Sequence, residues 1–151
     1  MTWVLMAGAC AFDTQVPPDA VIRCEGAGDC PSGWRCSPLR RVCVPAAQSD
    51  TASPALGGGV APSRVRPGGL VAVRVTTDEP LASPPEFELL LGAQNIRLDG
   101  GAEPTPDGGY DFFFPAPLVV DEQPLTVFAR AEDRLANLTP RALIGSVLVD
   151  P

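Results

Sequence analysis

From Gly59 onward, the chain alternates apolar and polar residues with a period of two. Val71, Val73 and Val75 share one face of such a run, while Ala72 and Arg74 take the other. A weaker short strand is expected near residues 60–65, and the same alternation recurs at 87–91, 96–98, 110–114, 125–132 and 143–149. A period of two indicates half-buried β-strands. About seven strands separated by Pro and Gly turns, without a helical stripe, predict a mostly β fold, an antiparallel β-sandwich.

The aromatic residues of this region divide between the two faces of their strands. Tyr110, Phe112 and Phe114 share one face, which we expect to pack in the core. Phe113 and Phe128 point to the opposite face, and if both are exposed they form an apolar patch that marks a contact with another domain or protein. The same alternation puts Glu132 on a solvent-facing strand position.

The sequence before Gly59 divides into shorter segments. Residues 1–10 form an apolar N-terminus, residues 11–23 a tether, residues 24–44 a cysteine-rich module and residues 45–58 a small, polar, Pro-bearing linker. Such a linker cannot bury enough apolar surface to order itself. We therefore expect the cysteine-rich module and the sandwich, residues 59–151, to be loosely coupled.

Four of the five cysteines lie within twenty residues, at positions 24, 30, 36 and 43. In a segment that is poor in apolar residues, this pattern indicates two disulfides and an oxidising compartment. Four cysteines allow three pairings. A four-thiolate zinc site is an alternative, although zinc ribbons use C-x2–4-C knuckles that the chain lacks, and a redox role would need C-x-x-C or an activated thiolate.

The N-terminal apolar run, residues 3–12, is about half of the ~20 residues that a membrane-spanning helix needs. It ends in small residues before Cys10 and resembles the tail of a bacterial lipoprotein signal peptide, which implies lipidation of Cys10. It departs from that pattern in having Ala7 where Leu or Val is usual, and in having no basic residue before Trp3. Secretion without a lipid and a buried N-terminus are the alternatives.

Residues 59–150 resemble bacterial immunoglobulin-like repeats of envelope proteins. The resemblance rests on DEPL at 78–81, YDFFF at 110–114 and PLTVFARAEDRLAN at 124–137. In such repeats a late strand often ends in Ala-x-Asp-x-x-Gly-Asn, whereas this chain has Ala136 at the Gly position. The resemblance implies an immunoglobulin-like sandwich and an envelope location, but no activity.

The segment CEGAGDCPSGWRCSPLRRVCV, residues 24–44, resembles a small Cys-rich module near the N-termini of lipoproteins inferred in GC-rich Gram-negative bacteria. Analogy with small interleaved disulfide scaffolds favours the pairs Cys24–Cys36 and Cys30–Cys43. The other two pairings stay open.

Composition narrows the possible chemistry. The chain has no His and no Lys, and its formal charge is −7. Nucleic acid is disfavoured as a partner because no basic face is present. Acyl-transfer hydrolysis lacks a base to activate a nucleophile. A two-carboxylate glycosidase stays formally open. Oxygen-rich turns leave calcium as the one ligand to consider, with candidates Asp99, Asp107, Asp121, Glu122, Asp133 and Asn137.

We therefore expect a non-catalytic structural or adhesive binding module of the cell envelope, without a cofactor, anchored to a membrane through Cys10. An outer-membrane or surface location is favoured, with a protein or a glycan as the surface partner. The alternative is an accessory carbohydrate-binding module or the N-terminal part of a larger exported enzyme. A third hypothesis places an inhibitor or ligand activity in residues 24–44.

Overall fold

A computed structural model of the chain describes residues 20–46, 51–98 and 101–151. In its N-terminal part, a single 3-10 turn, Ala27–Asp29, precedes an antiparallel hairpin of β1 (Trp34–Cys36) and β2 (Cys43–Pro45). Two disulfides, Cys24–Cys36 and Cys30–Cys43, tie this hairpin to the turn before it. The expected pair of disulfides is thus confirmed, in the pairing that the scaffold analogy favours.

The rest of the described chain forms two β-sheets. The first has the order β3-β5-β9-β8 and is antiparallel throughout. The second has the order β4-β11-β10-β6-β7, in which β4 alone runs parallel to its neighbour. The strands are β3 (Leu56–Ala61), β4 (Arg64–Val65), β5 (Leu70–Thr77), β6 (Glu86–Leu91), β7 (Gln94–Leu98), β8 (Glu103–Pro104), β9 (Tyr110–Pro115), β10 (Gln123–Glu132) and β11 (Leu138–Val149).

The inner faces of the two sheets form one hydrophobic core. Alternate residues of β5 and β9 face alternate residues of β6, β10 and β11 across it. The rings of Phe87 and Phe112 stack between the sheets, with centroids 4.5 Å apart. This packing of two sheets face to face confirms the mostly β sandwich that the period-two pattern predicts.

Several element boundaries differ from the expected ones. β3 begins at Leu56, inside the expected linker, and β11 begins at Leu138, five residues before the expected run. The two-residue strands β4 and β8 bring the sandwich to nine strands among the described residues, where about seven were expected. Short runs such as Glu103–Pro104 carry no period-two signal, because two residues cannot show one.

Part of the expected linker, residues 51–55, lies against the sandwich. Pro54 is fully buried, and its carbonyl accepts a hydrogen bond from the Thr139 hydroxyl. The backbone N–H of Ala55 donates to the Asp78 carboxylate at 2.8 Å. The sandwich itself thus supplies partners to a segment that has too few apolar residues to order alone. Residues 47–50 lie outside the described part of the chain.

No helix within the described ranges is both long enough and apolar enough to cross a membrane.

Candidate functional site

The disulfide module is docked on one end of the sandwich through the carboxylate of Glu132. This side chain lies at the end of β10 and is 0% exposed. Its oxygens accept hydrogen bonds from the Ser37 hydroxyl, from the backbone N–H of Leu39 at 2.9 Å and from Arg40 Nε at 3.3 Å. A buried carboxylate needs partners of this kind to offset its lost hydration. All three partners belong to the module, so Glu132 holds the two parts together.

Two arginines extend this junction. Arg35 donates from Nη2 to the Asn137 side-chain oxygen at 3.0 Å, and Arg40 reaches the backbone carbonyl of Arg134 at 3.5 Å. The expected loose coupling is therefore wrong, and so is the solvent-facing position of Glu132. The strand alternation assigns Glu132 to an outer face correctly, but the module covers that face.

The neighbouring carboxylate, Asp133, closes a turn. One oxygen accepts the backbone N–H groups of Leu135 at 2.7 Å and Asn137 at 2.8 Å, and the other accepts the Asn137 side-chain amide at 2.7 Å. Ala136 has φ +67°, so the position that is usually Gly keeps the left-handed backbone despite its Cβ. The side-chain hydrogen bonds of Asp133 hold this less favourable conformation in place.

The calcium candidates do not converge. Asp107 is hydrogen-bonded to Thr105 and to Arg74, and these two contacts, the Thr105 hydroxyl first, hold its pKa below the ordinary value for aspartate. Glu122 pairs with Arg64 at 2.5 Å, and Asp133 is committed to its turn. Asp121 belongs to no cluster of potential metal-ligating side chains among the described residues, and Asn137 donates its side-chain amide to Asp133. Asp99 lies outside the described residues.

The cysteine sulfurs do not form a thiolate site. Those of Cys24, Cys30 and Cys36 lie within 4.8 Å of one another, near enough to share an ion. Each is bonded to another sulfur, as Cys24–Cys36 or Cys30–Cys43, and a metal ligand must be a thiolate. The zinc alternative therefore does not fit these residues in their bridged state.

An open groove of about 450 Å³ runs across the outer face of the β3-β5-β9 sheet. Its lining includes Phe113, which is 54% exposed, and the small residues Ala72 and Ala61. These three residues lie in one cross-strand row, because Ala72 pairs with both Phe113 and Ala61. The next row on the same face joins Arg74 to Asp111 and to Gly59 in the same way. An aromatic row and a charged row thus line one groove, which we call the Phe113 groove.

Two glycines of β3, Gly58 and Gly59, line the groove and have different roles. A Cβ placed on Gly59 would meet no atom within 4 Å, so the missing side chain leaves open space beside Arg74. Gly58 differs: its φ is +143°, and a Cβ there would lie 1.9 Å from the Arg74 carbonyl oxygen. Gly58 is thus required for close strand pairing, whereas Gly59 shapes the surface.

The charged row is held in a fixed arrangement by ion pairs. Arg74 Nη1 contacts the Asp111 carboxylate at 3.3 Å, and Nη2 contacts Asp107. Asp107 is in turn bonded to the Thr105 hydroxyl. The row itself thus carries one positive and one negative charge, and Asp107 beside it adds a second negative charge.

Phe113 and Phe128 do not form the shared patch that their common outward orientation suggested. They lie in different sheets, and the Phe128 ring is covered by the guanidinium of Arg141, 3.8 Å from the ring centroid. Arg141 is held there by Glu88 at 3.2 Å. Among the described residues, the exposed aromatic side chain is therefore that of Phe113, while Tyr110 is half-buried against the core.

Searches with models of known protein families and with curated protein sequences found no match to this chain.

Cys10, the expected lipidation site, lies outside the described residues. Sequence reasoning missed two features: the role of Glu132 at the junction and the Phe113 groove. A signal for the groove was present in Gly57, Gly58 and Gly59, since glycines in a strand often mark a close backbone approach or a vacant surface. No comparable signal distinguishes Glu132 from other strand acids.

Proposed function

We propose that this chain is a non-catalytic binding module of the bacterial cell envelope, exported and anchored through a lipid on Cys10. An immunoglobulin-like sandwich would carry the binding surface, and the disulfide module would join it to the anchor. The observation that carries the proposal is the Phe113 groove, an exposed aromatic and a polar row on a sheet supported by a well-packed core. Preformed concave sites with few fixed polar groups are typical of ligand binding.

The state of the acidic side chains supports a non-catalytic role. A two-carboxylate mechanism needs one protonatable acid and one available base facing a shared cleft. Here the carboxylates near the groove, Asp107 and Asp111, both pair with Arg74, and the lowered pKa of Asp107 opposes an acid role near neutral pH. Glu132 and Asp133 are buried in structural hydrogen bonds.

The disulfides support export, because bridges of this kind persist in oxidising compartments. The junction at Glu132 supports a spacer role for the module, since its hydrogen bonds hold the module against the sandwich. The protein would meet its partner at the envelope surface, with the groove on the sandwich exposed to it.

Fractionation of the native cells tests this proposal. We expect the protein in the envelope fraction, with a lipid mass increment on Cys10, and a Cys10→Ser variant released from that fraction. An Ala46→Ser variant, at an exposed position outside the disulfides, serves as the control that keeps Cys10 and should stay in the envelope fraction. Recovery of the wild-type protein from the cytosol without a lipid increment would rule the proposal out.

A further inference from the structure

We infer that the Phe113 groove binds a neutral glycan chain, with Phe113 as the stacking platform and the Arg74–Asp111 row as the hydroxyl-binding edge. This inference rests on the proposed function and names the partner class of that surface. It comes from the arrangement of two adjacent cross-strand rows on one outer sheet face.

The aromatic row provides a surface on which the ring of a sugar can stack. The face of an aromatic ring carries partial negative charge and attracts the weakly positive C–H groups of a pyranose. Phe113 is more than half exposed, and its row neighbours Ala72 and Ala61 are too small to cover it. A ring can therefore be laid against Phe113 without displacing a protein side chain.

The charged row stands at the right separation for the hydroxyls of the same sugar. Residues of one strand that share a face are two positions apart, which is about 7 Å along the strand. Asp111 and Arg74 therefore lie next to Phe113 and Ala72 at a distance comparable with the width of a hexose. Together they present carboxylate acceptors and guanidinium donors, and a hydroxyl can use both.

The charge of the groove decides between neutral and charged ligands. The Arg74 guanidinium and the Asp111 carboxylate cancel each other within the groove, Asp107 adds a negative charge beside it, and the whole chain carries −7, so an anionic polysaccharide or nucleic acid is repelled. A cationic ligand would compete with Arg74 for carboxylates that it already holds. A neutral polyol needs no counter-charge and leaves the ion pairs intact.

A flat protein partner fits less well. The centre of a protein interface is depleted in charged residues, because covering an ion pair with apolar surface removes its hydration without replacement. The Arg74–Asp111 ion pair lines this groove. Glycan hydroxyls replace the water that they displace, so a sugar can cover the same row at little desolvation cost.

The test uses the full, disulfide-bonded chain and isothermal titration calorimetry with neutral hexasaccharides of glucose, mannose, xylose and N-acetylglucosamine in several linkages. We expect at least one of them to bind. Phe113→Ala and Phe113→Leu should weaken that binding about tenfold or more, a loss typical of a central aromatic contact. Phe113→Trp should retain the binding, because Trp keeps an aromatic ring face. Leu keeps only the apolar character of the side chain, so the comparison separates stacking from burial.

A second variant fills the groove but leaves the proposed sugar-binding residues Phe113, Arg74 and Asp111 unchanged. Gly59→Leu places a side chain in open space, so it should fold normally and still abolish binding. The matched control is Leu143→Ala, which removes a side chain that is 64% exposed in the opposite sheet. It should bind like the wild type. Thermal unfolding of each variant verifies that it is folded.

Three results would overturn the inference: no binding of any hexasaccharide by the wild type, binding that survives both Phe113→Leu and Gly59→Leu, or self-association in analytical ultracentrifugation that Gly59→Leu removes. None of them would affect the proposed envelope location. Conversely, cytosolic recovery with reduced cysteines would defeat the proposed function whatever the titrations show.

Discussion

The hydroxyl of Ser37 donates a hydrogen bond to the carboxylate of Glu132 across 95 residues of sequence, and both side chains are 0% exposed. This pair joins a module that has few apolar residues to a sandwich with a complete core. Removing either partner would leave a buried polar group without its partner, which costs more than the net gain from forming the bond. The junction is therefore a sensitive place to test the structure.

Glu132→Ala should lower the free energy of unfolding by about 3 kcal/mol, because the Ser37 hydroxyl and the Leu39 N–H lose their acceptor in a buried site. Glu132→Gln should cost about 1–2 kcal/mol, since the amide keeps one acceptor oxygen. Urea unfolding measures both. Glu103→Ala, at an exposed position on β8, is the control and should stay within about 0.5 kcal/mol. An equally small effect of Glu132→Ala would contradict the buried junction.

The paired variant Cys30→Ala/Cys43→Ala tests whether the disulfides support the junction. Opening a loop of this size should destabilise the module by about 3 kcal/mol in the chain-entropy model. Because the module supplies the partners of Glu132, we expect faster amide exchange at Leu39, whose N–H donates to the Glu132 carboxylate. We also expect chemical-shift changes at Ala82, whose backbone N–H donates a hydrogen bond to the Glu132 carbonyl. Changes confined to residues 24–44 would show that the two parts are uncoupled.

The adjacent glycines of β3 give a matched pair of stability tests. Gly58→Ala should cost more than about 1 kcal/mol, because its positive φ and the Arg74 carbonyl both oppose a Cβ. Gly59→Ala should be neutral or stabilising by up to about 1 kcal/mol, since the same methyl group meets open space. Thermal and urea unfolding compare them. Equal effects at the two positions would mean that the β3–β5 pairing differs from the one described.

The pKa of Asp107 can be measured directly by NMR titration, and it should lie below the ordinary aspartate value. Thr105→Val should raise it, because the Thr105 hydroxyl is the main cause of the depression. A carboxyl whose folded pKa is depressed stabilises the fold above its unfolded pKa, and this contribution is lost as the pH falls through the folded value. The wild type should therefore lose stability over that acidic window, and Thr105→Val should lose less. An unchanged Asp107 titration in the variant would contradict the assigned hydrogen bond.

How much the sequence predicts depends on the range of the interaction. The alternation of Val71, Val73 and Val75 predicts a buried strand face because burial repeats locally with the pleat. The disulfides follow from local cysteine density. The burial of Glu132 cannot be predicted from the neighbouring sequence, since its partners Ser37 and Arg40 lie more than ninety residues away. The groove also depends on pairing, because Gly59 matters only beside Arg74 and Asp111.

We propose that this chain works outside the cytoplasm with its cysteines bridged. Trapping thiols in intact native cells with an alkylating reagent, followed by non-reducing mass analysis of the purified protein, tests it most directly. We expect no alkylation at Cys24, Cys30, Cys36 or Cys43, and disulfide-linked peptides for Cys24–Cys36 and Cys30–Cys43. Four alkylated thiols at these positions, or a metal ion bound by them, would contradict it.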